Sequence, residues 1–231
     1  MDALPYLRYP SMVSATGIPT LETERLLLRP FDKSDFEAYA ALYADPEITR
    51  HFGSGPEPWD RPRAWRHLAF QQGCWLLRGF GMWAVELRES GDFLGAIGFS
   101  APEGWPGFEL AWTLARRWWG HGYATEGARE AMAYAFYVLA EDRVISLIAP
   151  ENRASIRVAE RIGETLQCRI QHLGREMLCY GIDREVYLTS GFGPLPPGPR
   201  PEDPAQPQGE HGSAQDQRQA ERRLRQTGEQ Q

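Results

Sequence analysis

The sequence predicts an α/β domain of the α+β kind over residues 20–190, on three observations. Strand-like and helix-like segments follow one another in the order β-α-α-β-β-β-α-β-α-β-β. Two strand pairs meet at glycine turns, Gly91-Asp92 and Gly174, which makes them antiparallel hairpins. An apolar run, Phe108 to Leu114, leads through Gly120 and Gly122 into a helix, the arrangement of an anion-binding turn.

The elements are justified in order. Arg25–Arg29, with three consecutive leucines, reads as the first strand. Ser34 or Asp32 caps a helix to Tyr43 with Phe36, Tyr39, Ala40 and Tyr43 on one face. Arg61–Leu76 is a second helix, entered through Pro62. Gly81–Leu87, Phe93–Ser100 and Phe108–Leu114 are strands. The next helix places Ala124, Ala128, Ala131, Met132, Ala135, Phe136 and Leu139 on one face, small enough at its start to approach a sheet closely. Val144–Ala149 is a buried strand by its β-branched content. Asn152 caps a further helix with Ala154, Val158, Ala159 and Ile162 inward, ended by Gly163. Thr165–Leu173 and Arg175–Ile182 close the domain. Residues 1–19 read as a leader, and 191–231 as a Pro/Gln-rich disordered tail with at most a transient helix over Gln217–Gln226.

Composition narrows the function classes. A net charge of −6 without a basic run argues against nucleic acid as partner. The longest apolar run, Ala131–Ala140, is too short to span a bilayer, and no secretory signal is visible, so a cytoplasmic protein is expected. Cys74, Cys168 and Cys179 form no Cys-x-x-Cys pair and read as buried thiols in a reducing compartment. The five histidines form no His-x-x-x-His pair, so no metal site is expected.

The glycine turn carries the chemistry. Gly120 and Gly122 remove side chains where backbone N–H groups can close on an anion, and the helix behind adds its unpaired N–H groups and positive dipole end. The spacing fits neither Gly-x-x-x-x-Gly-Lys-Ser/Thr nor Gly-x-Gly-x-x-Gly. Arg117-x-x-Gly120-x-Gly122 resembles the Arg/Gln-x-x-Gly-x-Gly/Ala signature of the GNAT N-acetyltransferases, which holds the pyrophosphate of acetyl-CoA. Thr23–Arg29, Trp118–Glu126 and Glu151–Gly163 extend the resemblance over nearly all of 20–190. It is nearest the RimJ/RimL-like group of ribosomal-protein alanine and serine N-acetyltransferases. The resemblance implies the GNAT fold, a central mixed, mostly antiparallel, splayed sheet flanked by helices. It also implies acetyl-CoA as cosubstrate, a primary amine as acceptor, and attack within a ternary complex.

Acetyl transfer requires a neutral amine, yet a lysine-like amine with a pKa of about 10.4 is almost wholly protonated near neutrality. A carboxylate, reached directly or through water, can take the extra proton. The resemblance points to Glu109 as this base, the alternative being a solvent-facing or arginine-paired strand glutamate. Glu86 and Glu103 are weaker candidates, and Glu126 complements the helix N-terminus. The tyrosine that protonates the leaving thiolate in many GNAT enzymes is Ala159 here. The RimJ/RimL-like Asn-x-x-Ser pattern instead points to Ser155, contacting the sulfur or donating through water, with Asn152 as a cap that also touches cofactor.

The expected cofactor contacts are Arg117, Gly120, His121, Gly122, Tyr123, Ala124 and Thr125 at the pyrophosphate, and Trp112, Thr113 and Leu114 along the pantetheine arm. Trp118 and Trp119 are expected to pack. Where the family usually has Phe after Ile162-Gly163, Glu164 stands, so packing there is reshaped. His51, Phe52, Trp59, Trp83 and Tyr180 are candidate walls of the acceptor pocket. The resemblance points first to a protein α-amine as acceptor; polyamines, amino acids and aminoglycosides remain open, as do a monomer or homodimer and the rival reading of a non-catalytic acyl-CoA-binding module.

Overall fold

Asp32 starts the first helical layer: its carboxylate accepts from Ser34 N over a short 3-10 turn, Lys33–Asp35, that runs into α1, Phe36–Tyr43. Of the two capping candidates the structure uses Asp32. The computed structural model describes residues 17–52, 55 and 57–192. The leader up to residue 16 and the tail from residue 193, with its Gln217–Gln226 segment, lie outside the described residues.

The strands are β1 (Leu21–Glu22), β2 (Leu26–Arg29), β3 (Met82–Leu87), β4 (Phe93–Ser100), β5 (Glu109–Leu114), β6 (Arg143–Ile148), β7 (Thr165–His172) and β8 (Arg175–Asp183). The helices are α1, α2 (Pro46–Thr49), α3 (Arg61–Arg78), α4 (Tyr123–Tyr137), α5 (Arg153–Arg161) and α6 (Arg184–Thr189). Only β1, α2 and α6 escape the sequence reading, because two to six residues carry no detectable period. Helix α3 runs two residues past the expected Leu76 and stops where Gly79 turns left-handed at φ 75°.

The strands form one eight-stranded sheet in the order β1-β2-β3-β4-β5-β6-β8-β7. Every neighbouring pair is antiparallel except β5 and β6, which are parallel and share one register pair, Glu109↔Ile145. One face packs on α4, whose Ala128, Ala131, Met132, Ala135 and Phe136 are wholly buried against Leu26, Leu28, Ile97 and Leu110. Leu139, expected on that face, lies beyond the end of α4 and is half-buried. The other face carries Tyr39, Leu42 and Tyr43 of α1 and Ala64 and Leu68 of α3.

Helix α5 is rotated from the expected orientation: Ala154 is exposed, and Ile156 is buried with Ala159 and Ile162. The cause is the 3.6-residue period, which stacks 156, 159 and 162 on one side and turns 154 away. The thiols also differ from expectation. Cys179 is buried, Cys74 is half-buried, and Cys168 is exposed because β7 is an edge strand. Among the described residues no helix is long and apolar enough to cross a membrane.

The run from Thr23 to Arg29 ties the layers together. Glu126, in the first turn of α4, accepts from Thr23 Oγ1 at 2.6 Å, Arg25 N at 2.9 Å and Arg25 Nε at 2.7 Å. Arg29 forks onto Asp35 at 2.7 and 2.8 Å and also holds Glu86 at 2.6 Å. Glu126, acidic in the first turn of α4 as expected, also bolts the segment before β2 to that helix.

Candidate active site

The site grows from the break between β5 and β6. Ile145 N donates to Phe108 O at 2.9 Å, so a regular parallel ladder would next join Leu147 N to Leu110 O. That bond is not made. Leu147 N reaches Glu109 Oε1 at 3.4 Å instead, and Leu110 O accepts from Ser146 Oγ at 2.8 Å. Two side chains replace one rung, and the strands part. Beyond this point strand alternation turns the N–H groups of Trp112 and Leu114 into the gap, while the backbone of Thr113 pairs with Ala96 on β4. Of the three expected pantetheine contacts, Trp112 and Leu114 therefore offer backbone donors, and Thr113 lines the cleft with a side chain hydrogen-bonded to Tyr43.

The gap opens into a cleft of about 1130 Å³. Glu109 sits on its floor, 8 % exposed. Its Oε2 accepts from Trp105 Nε1 at 2.6 Å. Burial pushes its pKa from 4.5 up to about 7, and the hydrogen bonds from Trp105 and Leu147 hold it from rising further. It is neither solvent-facing nor paired with an arginine among the described residues, unlike Glu86, which Arg29 holds. Glu103 is fully exposed.

The glycine turn forms one end of the cleft. Gly120 and Gly122 take φ of 83° and 84°. Residues Gly120, His121, Gly122, Tyr123, Ala124 and Thr125 all line the cleft, and their backbone N–H groups donate to no group among the described residues. Arg25 steadies the turn, donating to His121 O at 3.1 Å and lying 4.6 Å over the Tyr123 ring. Arg117 is the exception among the expected contacts. It does not line the cleft but is exposed, lies 5.2 Å over the Trp118 ring and borders a shallow depression beside Asp45. The 3-10 turn Arg116–Trp118 aims it away. Besides Arg50, Arg63 and Arg66, the cations that do line the cleft are Arg153, Arg157 and Arg161 of α5. Their spacing of four was visible in the sequence as a stripe on one helix face.

Ser155 stands on the α5 wall. Its N–H donates to Asn152 Oδ1 at 3.1 Å, the helix cap, and its Oγ accepts from Trp112 Nε1 at 3.2 Å. Because Trp112 occupies Oγ as a donor, the Ser155 proton stays available to the cleft. Trp119 is not the packing residue expected: it is 45 % exposed and lines the cleft, with Nε1 held by Leu114 O at 2.7 Å. Trp118 does pack against the core.

At the other end lie His51, Phe52 and Trp59, with Tyr43 stacked on Trp59 at 4.5 Å and His67 edge-on at 4.8 Å. Burial lowers the His67 pKa to about 4, so this imidazole is neutral. Two proposed wall residues are elsewhere. Trp83 is wholly buried and donates to Pro19 O, and Tyr180 packs under α5 with Ile156 and Leu178. The sequence reading also missed Trp105, Ser146 and the buried state of Glu164. Trp105 lies only four residues before Glu109, but no local pattern marks that contact, and Ser146 and Glu164 come near Glu109 only through the sheet. Among the described residues no group of three or more His, Cys, Asp or Glu is placed to hold a metal.

The acetyltransferase (GNAT) domain profile matches residues 25–165. The chain belongs to the GNAT acetyltransferase family. An acetyltransferase structure from Agrobacterium tumefaciens is 36% identical, with a TM-score of 0.65 over 71% of this chain and 94% of that one. The FsC-acetyl coenzyme A-N(2)-transacetylase of Aspergillus fumigatus is 34% identical over 64% of this chain and 65% of its own length. The ribosomal alpha-N-protein acetyltransferase RimL, solved with coenzyme A, is 18% identical with a TM-score of 0.61 over 71% of this chain and 97% of that one, a likeness of fold. As a GNAT N-acetyltransferase the protein uses acetyl-CoA and acts on an amine. The residues present fit that cosubstrate: uncommitted amides and the α5 arginines suit its phosphates, and the open edge of β5 suits its amide-bearing arm.

Proposed function

We propose that this GNAT N-acetyltransferase acetylates the α-amine of a protein or peptide in a ternary complex, with Glu109 as base and Ser155 beside the leaving sulfur. Glu109, buried at the cleft floor with its pKa near 7, carries the reading. A peptide α-amine has a pKa of about 8, within roughly one unit of Glu109, whereas a lysine-like amine at about 10.4 lies more than three units above it. Proton transfer to Glu109 is therefore nearly balanced for an α-amine and uphill for a polyamine.

Bound acetyl-CoA supplies an acetyl thioester. The chain's residues do the rest. The amides of residues 120–125 and the α5 arginines hold phosphates. Trp112 N–H and Leu114 N–H, turned into the gap, orient the arm and can polarise the thioester carbonyl. Glu109 removes the ammonium proton, directly or through one water, and the neutral amine attacks. Ser155 Oγ, already accepting from Trp112, hydrogen-bonds the departing thiolate and relays to it the second proton that the acylated nitrogen sheds, so the serine stays neutral.

A small-molecule amine is the second reading, favoured by the 34% identity to a transacetylase named for FsC. Acetyl-CoA-dependent thiol release, measured over Ser- and Ala-ended peptides, polyamines, amino acids and aminoglycosides, separates the two. Peptide-dependent release supports the first. Release with no peptide but with another amine replaces the acceptor. Acetyl-CoA binding without release from any amine overturns catalysis in favour of a binding module.

A further inference from the structure

A second carboxyl group lies behind Glu109. Glu164 lies between Gly163 and the first residue of β7 and is 2 % exposed. Its Oε1 is 3.1 Å from Ser146 Oγ, which is also 2.8 Å from Leu110 O. Its Oε2 is buried without a partner.

Hydrogen-bond accounting assigns the protons. A serine hydroxyl has one proton. Leu110 O can only accept, so if Ser146 donates to it, Glu164 must donate to Ser146. Only a carboxylic acid can do so. The orphaned Oε2 agrees, since a bare carbonyl oxygen is far cheaper to bury than half a carboxylate. No cation pairs with Glu164 among the described residues. The titratable groups facing it are Glu109 of β5 and Cys179 of β8, with Cys168 of β7 and Arg143 of β6 behind the thiol. Two carboxylates so placed would repel, so one proton retained by Glu164 leaves Glu109 free to ionise.

We propose that Ser146 and Glu164 form a strut that positions Glu109, and that the strut holds only while Glu164 keeps its proton. The inference rests on Glu109 as the base. Ser146 caps Leu110 O, which keeps that carbonyl from claiming Leu147 N and leaves Leu147 N for Glu109. When Glu164 ionises, the charged carboxylate takes the Ser146 proton, because charge-assisted bonds are the stronger. Leu110 O is then uncapped, the rung to Leu147 N can form, and Glu109 loses a donor as the strands close. Burial pushes the Glu164 pKa to about 8, which puts this gate just above neutrality.

The test has two arms. In kinetics, wild-type kcat falls above a pH of about 8, and Glu164→Gln, which donates to Ser146 without titrating, retains neutral activity and loses the alkaline fall. Ser146→Ala lowers kcat about ten- to a hundredfold, the scale of a small misplacement, with the acetyl-CoA KM unchanged, and Ser146→Thr restores it. In the second arm, infrared spectra of the substrate-free Glu109→Gln protein show a carboxylic acid band that titrates above neutrality and is absent from Glu109→Gln/Glu164→Gln. An alkaline fall that persists in Glu164→Gln, Ser146→Ala with wild-type kcat, or a band unaffected by the double change overturns the strut. The infrared arm needs no acceptor, so it stands apart from any failure of the acetyl-transfer reading.

Discussion

Replacing Glu109 by Gln separates its proton chemistry from its place in the fold. In the native protein Oε2 accepts from Trp105 Nε1 at 2.6 Å and Oε1 from Leu147 N at 3.4 Å. Glutamine has one oxygen to offer. Turned toward Trp105, the shorter contact, it faces its amide N–H₂ to Leu147 N–H and leaves a buried donor unmet, at a cost of about 1–3 kcal/mol. Against this, the carboxylate's burial penalty disappears. A pKa raised from 4.5 to about 7 represents about 3 kcal/mol for the ionised group above neutrality. The two effects nearly cancel, so the variant folds with close to wild-type stability at mildly alkaline pH. Its chemistry does not recover: loss of a general base lowers kcat by about 10²- to 10⁴-fold. Thiol release at saturating acetyl-CoA and peptide reads kcat, and calorimetry reads acetyl-CoA affinity, expected to be unchanged. The wild-type rate should rise through an inflection near 7, and that inflection should vanish in the variant. A variant within about threefold of wild type at neutral pH would refute Glu109 as base, since that is far below the contribution of a general base.

Ser155→Ala leaves Trp112 Nε1 without its acceptor and removes the cleft's available hydroxyl proton, so kcat should drop about tenfold or more, read by the same assay. Arg25→Ala frees the glycine turn from Glu126 and His121 O; acetyl-CoA affinity by calorimetry should weaken about three- to tenfold while kcat holds, the modest size following from an exposed ion pair. Gly98→Ala would drive Cβ into Gly81 O and to 2.6 Å from Met82 Cα at φ 154°, both rigid backbone atoms, so thermal melting should show a loss of about 3 kcal/mol. Glu109 and Glu164 keep their protons to about 7 and about 8, whereas the unfolded chain releases them near 4.5. The native state binds more protons in that window, so stability from these groups is fullest at its acid end, falls as pH rises and levels off above about 8. Urea midpoints across the range should fall less steeply in Glu164→Gln, and an unchanged slope would show that Glu164 ionises normally.

Local chemistry made most of this protein legible from its sequence. Alternating and 3.6-residue apolar periods revealed the larger elements, because each had to bury one face. Glycines at 120, 122, 163 and 174, left-handed in the structure, marked ends and turns that other residues resist. The Gly120–Thr125 motif marked the turn whose amides line the cleft, because such a turn at a helix start needs only glycine and direction. Long-range geometry decided the rest. Arg117, a plausible phosphate ligand by spacing, points away because a 3-10 turn intervenes, and the α5 arginines face the cleft because that helix lies across from the turn. Trp83 and Tyr180 went to the core by strand parity. Glu164 looked like a lost packing residue; only the sheet order, which puts β6 between β5 and β8, brings it within reach of Ser146 and Glu109. Residues 109, 146 and 164 lie on three separate segments, so no sequence period links them. Their burial, and with it the raised proton affinity of the two carboxyl groups, exists only once the sheet has assembled.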